Sequence, residues 1–490
     1  MDWHSAGLGL AATFTPQVFG GMAVGLVIGL VFGAVPGLHG VLAIVLVLPF
    51  LWGMDPFVAF AVLLSLTAAV QTSNTFPAFY FNVPGSPTAA ATVIDGYPMA
   101  KKGEAAKGLV ASFCASAVGG VVAALILLVL LPLLRPLALA MATPERLMLV
   151  VLGLFSVSTL SGGHVLRGLV ACLFGLLLGT IGQDPQYGHY RYTFGSPFLY
   201  EGIGLIPLVM GLFALPEVIS LAARGQIAAD GAIRVGRGLR EGVRAVVRHR
   251  WLTLAGAAIG TAIGALPGLG GTAAAFYAYA FAVGTARRED RGGFGQGDVR
   301  GVIAPESANN ASAVGELVPL LAFGIPGGAT TALLLSAFLI LGVTPGAPMF
   351  GEHLPLTYSM VFVMVIANIG ATAACIAIAS RTAAIATLRA ELLIPVILFF
   401  VLFGAYVGLP DIRSLAVTLA LGLLGWLMLR SGWPRVPLLV GFILGPLVEN
   451  NLFIALASYG SSFLLRPVPL LVIALMVAVL GAGLVRRVRR

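Results

Sequence analysis

One apolar stretch occurs twice in this chain. Residues 25–40 read GLVIGLVFGAVPGLHG and residues 256–271 read GAAIGTAIGALPGLGG, identical at nine of sixteen positions without a gap. Pro36-Gly37 and Pro267-Gly268 fall among the matches. A second pair follows in the same order: FNVPGSPT at 81–88 and FGIPGGAT at 323–330. The first pair is offset by 231 residues and the second by 242. Two motifs recurring in order mark an internal duplication, and in an apolar chain that points to a transporter built from two repeats.

The surroundings of the repeats set the solvent. Of 490 residues 59% are apolar and only 10% charged, with a mean hydropathy of +1.01, which excludes a soluble globular fold. At about 20 residues per span, an all-α polytopic membrane protein of roughly 10–13 membrane segments is expected, with some helices broken or re-entrant. The first apolar run, near Thr15, lacks a basic flank and a small-residue cleavage site, so it reads as a membrane helix rather than a removed signal. The net charge of +9 suits cytoplasmic loops better than nucleic acid. Cys114, Cys172 and Cys375 lie far apart in apolar sequence and read as packing residues.

Along the chain, Gly21, Gly25, Gly29 and Gly33 share one face of a helix over 17–35, as Gly256, Gly260 and Gly264 do in the second copy. Residues 41–52 are short for a span and fit either a crossing or half of a hairpin. QTSNTFPAFYFNVPGSPT (71–88) reads as unwound backbone at membrane depth. DGYPMAKKGEAAKG (95–108) reads as a charged loop. Helices are expected at 109–134, 146–161, 164–182 and 203–222, with a turn-rich connection at 183–202. Residues 223–250 carry Arg237, Arg240, Arg244 and Arg248 at helical spacing, either a helix on an anionic membrane surface or a solvated linker. After the second copy and the loop at 287–300, helices are expected near 332–343, 356–381, 385–409, 412–430, 436–447 and 466–485. The domain reading is a first repeat (1–222), a basic cytoplasmic linker (223–250) and a second repeat with extra C-terminal helices (251–490). With the Arg linker and the terminal RRVRR inside and the N-terminus, which has no Lys or Arg before the first span, outside, the two copies run in opposite directions, so the repeats are inverted.

A Pro-Gly turn ends one helix, and a helix starting just beyond it presents free amides that suit a carboxylate. The substrate-site candidates are therefore Pro36, Gly37, Pro84, Gly85, Pro267, Gly268, Pro326 and Gly327, with hydroxyls of Ser86, Thr88 and Thr330 and the amide of Asn74 beside them. In APESANN, Glu306 can neutralise a cation or take a proton, and Asn309 and Asn310 offer carbonyl oxygens to Na+. The alternative for Glu306 is a cap at the membrane edge. Glu316 is a second acidic candidate. His39, His164, His189 and His353 have no metal-ligand spacing, and Glu217, Glu449, Asn450 and Asn451 are not separable into function or packing. Asp95, Lys101, Lys102 and Lys107 read as loop or gate residues. With no hydrolase motif, phosphate-binding loop or cysteine pair, neither an enzyme nor an ATP-driven pump is expected, no cofactor is called for, and an ion gradient must supply the energy.

These residues also carry a family resemblance. GAVPGLHG (33–40), NVPGSPTAAATVIDGYPMAKKGEAAKGL (82–109), GQDPQYGHYRYTFG (182–195), GALPGLGG (264–271), FGQGDVRGVIAPESANNASAVGELVPLLAFGIPG (294–327) and GVTPGAPMF (342–350) resemble the large permease subunit of tripartite tricarboxylate transporters, the TctA family. The resemblance implies a multi-pass protein of the bacterial cytoplasmic membrane with two partners, a small membrane subunit and a periplasmic solute-binding protein. It further implies uptake of an organic carboxylate with Na+ or H+. His39 and Glu316 stand where the family has small residues, which leaves the identity of the carboxylate open. The rival readings are a carrier or exchanger without a binding protein, and a membrane scaffold or sensor that does not transport.

Overall fold

The computed structural model describes residues 2–160, 165–184, 186–224, 238–379 and 390–488. Among them the chain is almost wholly helical: α1 (Trp3–Thr13), α2 (Pro16–Ala34), α3 (Gly40–Val47), α4 (Pro56–Ser73), α5 (Thr75–Tyr80), α6 (Ala90–Lys101), α7 (Ala105–Ala140), α8 (Thr143–Leu160) and α9 (Val165–Gly179). A two-stranded ribbon follows, β1 (Gly182–Gln183) against β2 (Tyr190–Arg191). Then come α10 (Leu205–Val209), α11 (Leu215–Arg224), α12 (Leu239–Arg248), α13 (Arg250–Gly264), α14 (Gly270–Thr285), α15 (Arg300–Gly315), α16 (Leu317–Phe323), α17 (Ala329–Ile340) and α18 (Leu354–Ile378). The last four are α19 (Ala390–Gly408), α20 (Ile412–Arg430), α21 (Arg435–Tyr459) and α22 (Pro467–Val488). Seven helical stretches among the described residues are long and apolar enough to cross a membrane, and this is a polytopic membrane protein.

The two copies fold through the same sequence of elements. In the first, α2 leads through Pro36-Gly37 to α3, then to α4 and α5, and through Pro84-Gly85 to α6 and α7. In the second, α13 leads through Pro267-Gly268 to α14, then to α15 and α16, and through Pro326-Gly327 to α17 and α18. The α4–α5 break sits at Asn74 and the α15–α16 break at Glu316, again 242 residues apart. The cause is the same in both: Pro77 and Pro319, three residues on, have no N–H to continue the ladder. The glycine faces pack as their spacing requires. Side chains on Gly21, Gly25, Gly29 and Gly33 would run into α4, and side chains on Gly256, Gly260 and Gly264 into α15.

α7 and α18 lie against this pair of motifs, α7 on α13 and α15, α18 on α2 and α4. A second group of helices packs beside it: α21 lies on α8 and α9, and α20 on the segment Met210–Ala214, one π-helical turn between α10 and α11.

Three local expectations change. Residues 95–101 are not loop but the second half of α6, because Asp95 is fully buried and anchored. Its Oδ1 accepts from the amides of Gly297 (2.8 Å) and Asp298 (2.9 Å), and its Oδ2 from Tyr279 Oη (2.9 Å). α7 runs to Ala140 through Pro132 and Pro136, well past the expected end at 134. Residues 71–80, expected as unwound backbone, are helical as the end of α4 and as α5, with irregular backbone only at 81–86, because the apolar TFPAFY run still closes a helical turn beyond Asn74. The 41–52 stretch, left open by the sequence, is a short helix, α3, closed by a 3₁₀ turn at Leu48–Leu51. Arg234, Arg237 and His164 lie outside the described residues, as does the start of the helix expected from 385. Of the basic linker, α12 places Gly242 and Val246 against α7 and leaves Arg240, Arg244 and Arg248 exposed.

Candidate functional site

Each of the four Pro-Gly turns ends at a helix start, and the helix starts gather round one cavity of about 460 Å³. Its wall includes His39–Val41 at the start of α3, Ser86–Thr88 leading into α6, Gly270–Thr272 at the start of α14 and Gly328–Thr331 at the start of α17. The starts of four helical segments, with the positive ends of their dipoles, therefore border a shared space, where the Leu42 and Gly328 amides are taken by the His39 and Thr331 side chains.

The turns themselves stand one layer back. Gly37 and Gly268 have φ of +87° and +88°, a left-handed geometry that favours glycine in both copies. Gly85 and Gly327 are glycine for a different reason, which is close approach. A Cβ on Gly85 would lie 2.6 Å from the Asn74 carbonyl oxygen, and one on Gly327 would lie 2.7 Å from Glu316 Cγ. Each second Pro-Gly turn is thus folded onto the helix break of its own copy. The Gly268 amide donates to the Gly327 carbonyl at 2.8 Å, which ties Pro267-Gly268 to Pro326-Gly327.

Polar groups knit the breaks to the wall. Asn74 Nδ2 donates to Ser86 Oγ (2.6 Å) and is shared with Gln71 Oε1 (3.2 Å) and Thr88 Oγ1 (3.3 Å). Ser86 and Thr88 hydroxyls are 2.7 Å apart, and Thr88 donates to Gln71 Oε1 at 2.9 Å. At the matching break, Thr331 Oγ1 accepts from the Gly328 amide (2.8 Å) and donates to Glu316 Oε2 (3.0 Å). Thr330 also lines the cavity.

The facing wall is charged. Arg435, at the start of α21, donates from Nη2 to Glu217 Oε1 (2.8 Å) and from Nη1 to the Leu212 carbonyl (3.2 Å), and lies over the Phe213 ring. His39 caps α3: its Nδ1 accepts from the Leu42 amide, so the ring proton sits on Nε2, which faces Glu217 Oε2 at 3.4 Å. Among the described residues Arg435 is the one Lys or Arg lining the cavity, and Glu316 the one carboxyl.

The candidates thus separate. Ser86, Thr88 and Thr330 line the cavity; Pro36, Gly37, Pro84, Gly85, Pro267, Gly268, Pro326, Gly327 and Asn74 support its wall. Glu306, Asn309 and Asn310 lie away from it, buried on α15 where that helix meets the α4–α5 break. Sequence reading did not name Arg435, Gln71 or Thr331 as site residues, and it left Glu217 unassigned. Pro434-Arg435 opening a late helix carries no repeat signal, and only folding brings it beside the duplicated motifs.

Residues 19–440 match the family described as Tripartite tricarboxylate transporter TctA family. The chain belongs to the TctA family. An uncharacterised 52.8 kDa protein from the TAR-I ttuC′ 3′ region of Agrobacterium vitis is 32% identical over 456 residues, 91% of this chain and 88% of its own length. A second protein of that organism, from the TAR-II ttuC′ 3′ region, is 33% identical over 193 residues, 39% of this chain and 79% of its own. No solved structure matches. As a TctA member the chain is a transporter subunit, a large subunit of the tripartite tricarboxylate class.

Proposed function

We propose that this chain imports an organic carboxylate across the bacterial cytoplasmic membrane as the large subunit of a secondary transporter. A periplasmic solute-binding protein delivers the substrate, a small membrane subunit assists, and a Na+ or H+ gradient drives uptake. The observation that carries the reading is the convergence of four helix starts and Arg435 on one cavity. Helix-start amides and the Thr330 hydroxyl donate to carboxylate oxygens, Ser86 and Thr88 join them by turning their single protons from Thr88 and Gln71 to the ligand, and Arg435 supplies the guanidinium. Each group is held in place before substrate arrives: Ser86 and Thr88 by Asn74 and Gln71, Arg435 by Glu217.

We further propose that the two copies are inverted about the membrane plane. The exposed arginines of α12 then belong to a cytoplasmic linker, so that helix starts reach the cavity from both sides.

Uptake of labelled carboxylates into proteoliposomes, with the partner binding protein and small subunit present, tests the proposal. Gly85→Val and Gly327→Val push a side chain into the Asn74 and Glu316 breaks, and each is expected to lower uptake at least tenfold with the protein still folded in the membrane. Uptake at the unsubstituted rate in both variants removes the Pro-Gly turns from the substrate path.

A further inference from the structure

The interior behind the cavity holds a charge-bearing group that carboxylate recognition does not use. Glu306 is fully buried on α15. Its carboxyl oxygens accept from Thr92 Oγ1 at 2.7 Å and Ser116 Oγ at 3.0 Å, and no cationic side chain among the described residues pairs with it. A carboxylate held out of water without a counter-charge is strongly disfavoured, so this one carries either a proton or a bound cation.

The neighbouring oxygens decide between the two. Asn309 and Asn310 follow Glu306 by three and four residues, on the same helical face. Their amide nitrogens are committed to the Gln71 carbonyl (3.0 Å), Thr72 Oγ1 (2.9 Å) and Asn368 Oδ1 (2.7 Å). Both of their Oδ1 atoms are buried without a hydrogen-bond partner. Across from them, the α4–α5 break leaves Asn74 Oδ1 in the same condition and places the Thr75 hydroxyl beside the Glu306 carboxyl, where it interacts with it. Three buried amide oxygens, on α15 and at the α4–α5 break packed against it, thus have no hydrogen-bond partner. A proton on Glu306 brings a single donor and satisfies at most one of them. A small hard cation satisfies several oxygens together and neutralises the carboxylate as well.

We infer that Glu306, Thr75, Asn309, Asn310 and Asn74 form a binding site for a sodium-sized cation. In the transport reading this is the coupling ion; that role rests on the reading, whereas the binding does not. The same residues also give a route for coupling. The amide whose oxygen faces the cation, Asn74, holds Ser86 and Thr88 through its nitrogen. Gln71, whose carbonyl accepts from Asn309, lines the cavity with its side chain. Cation occupancy fixes the amides that position the carboxylate-binding hydroxyls, so each ligand strengthens the other.

The test uses the purified full-length chain in detergent, without partners or substrate, at constant pH and ionic strength. The thermal unfolding midpoint is followed in NaCl, KCl and choline chloride. The expected result is a saturable rise specific to Na+. Thr75→Val keeps the side-chain shape and removes only the hydroxyl beside Glu306, so in choline the variant is expected to fold with little change in its midpoint. Its apparent Na+ affinity is expected to fall at least tenfold, and Glu306→Gln is expected to abolish the response. An equal rise with K+ or choline, a midpoint that answers only to acidification, or an unchanged Na+ response in both variants overturns the site. A Na+ response in a chain that fails to take up any carboxylate leaves the site standing and refutes the transport reading.

Discussion

Arg435 and Glu316 bring a guanidinium and a carboxyl to the wall of one cavity, and their roles are separable by substitution. Arg435 offers a planar fork already held by Glu217 and the Leu212 carbonyl. Arg435→Gln is expected to raise the KM for a carboxylate more than tenfold, about 1.4 kcal/mol or more of lost binding. Arg435→Lys is expected to recover part of it, because the charge returns without the fork. Uptake kinetics over a substrate series measure both. Glu316 occupies the position that Asn74 occupies in the other copy, so a carboxyl stands where the first half has an amide. Glu316→Gln removes a carboxyl that opposes an anion whenever it is ionised, and is expected to lower KM. An unchanged KM in that variant takes Glu316 out of contact with substrate. Neither residue's place was legible locally: Glu316 is one acid within an otherwise apolar run, AVGELVPLL, and Arg435 is one basic residue among 28 Lys and Arg.

At the scale of elements, the loop between α14 and α15 is fastened to α6 through the buried Asp95 carboxylate. Hydrogen bonds to a charged group contribute about 1.5–3 kcal/mol each, so Asp95→Ala is expected to loosen the 287–299 loop. Limited proteolysis of that loop, compared with cleavage at other sites, reads the effect. The neighbouring Asp298 gives the clasp its pH dependence. Burial pushes its carboxyl up, but hydrogen bonds from the Arg300 guanidinium and amide outweigh this and hold it below the usual range. A depressed pKa in the folded state contributes stability above the unfolded value. Protease resistance of the loop is therefore expected to be flat from neutral pH down to about pH 4, where an unperturbed Asp titrates, and to be lost only below it. A loss already complete at pH 6 excludes this carboxylate as the cause. The charged residues of 95–108 mislead sequence reading here because a fully satisfied buried Asp has the same letter as an exposed one.

For the whole molecule, the cavity lies between the duplicated motifs on one side and Phe213, Trp433 and Arg435 on the other, which belong to the helices packed beside them. Transport requires that this space change the side from which it is reached. A cysteine placed at Thr330 in an otherwise cysteine-free chain is expected to react with an impermeant maleimide in membranes. Its labelling is expected to slow at least several-fold when substrate-loaded binding protein is present. Labelling indifferent to substrate places the cavity off the transport path. The three native cysteines have to be removed first, although Cys172 and Cys375 are buried and Cys114 is half-buried.

The membrane class, the family, the duplication and the Pro-Gly turns are legible in the sequence, because hydropathy, Pro and Gly act through the local chain. The sequence also marked Glu306, Asn309 and Asn310 as unusual in an apolar setting. What only the tertiary structure decided is which of these features meet. The second Pro-Gly turns lie on the Asn74 and Glu316 breaks, and four helix starts share a cavity with an arginine from a distant helix. The Glu306 carboxyl on α15 comes beside Thr75 at the α4–α5 break. Those are contacts between segments tens to hundreds of residues apart, fixed by packing and by which donors are already used, and neither is written in the spacing of any one stretch.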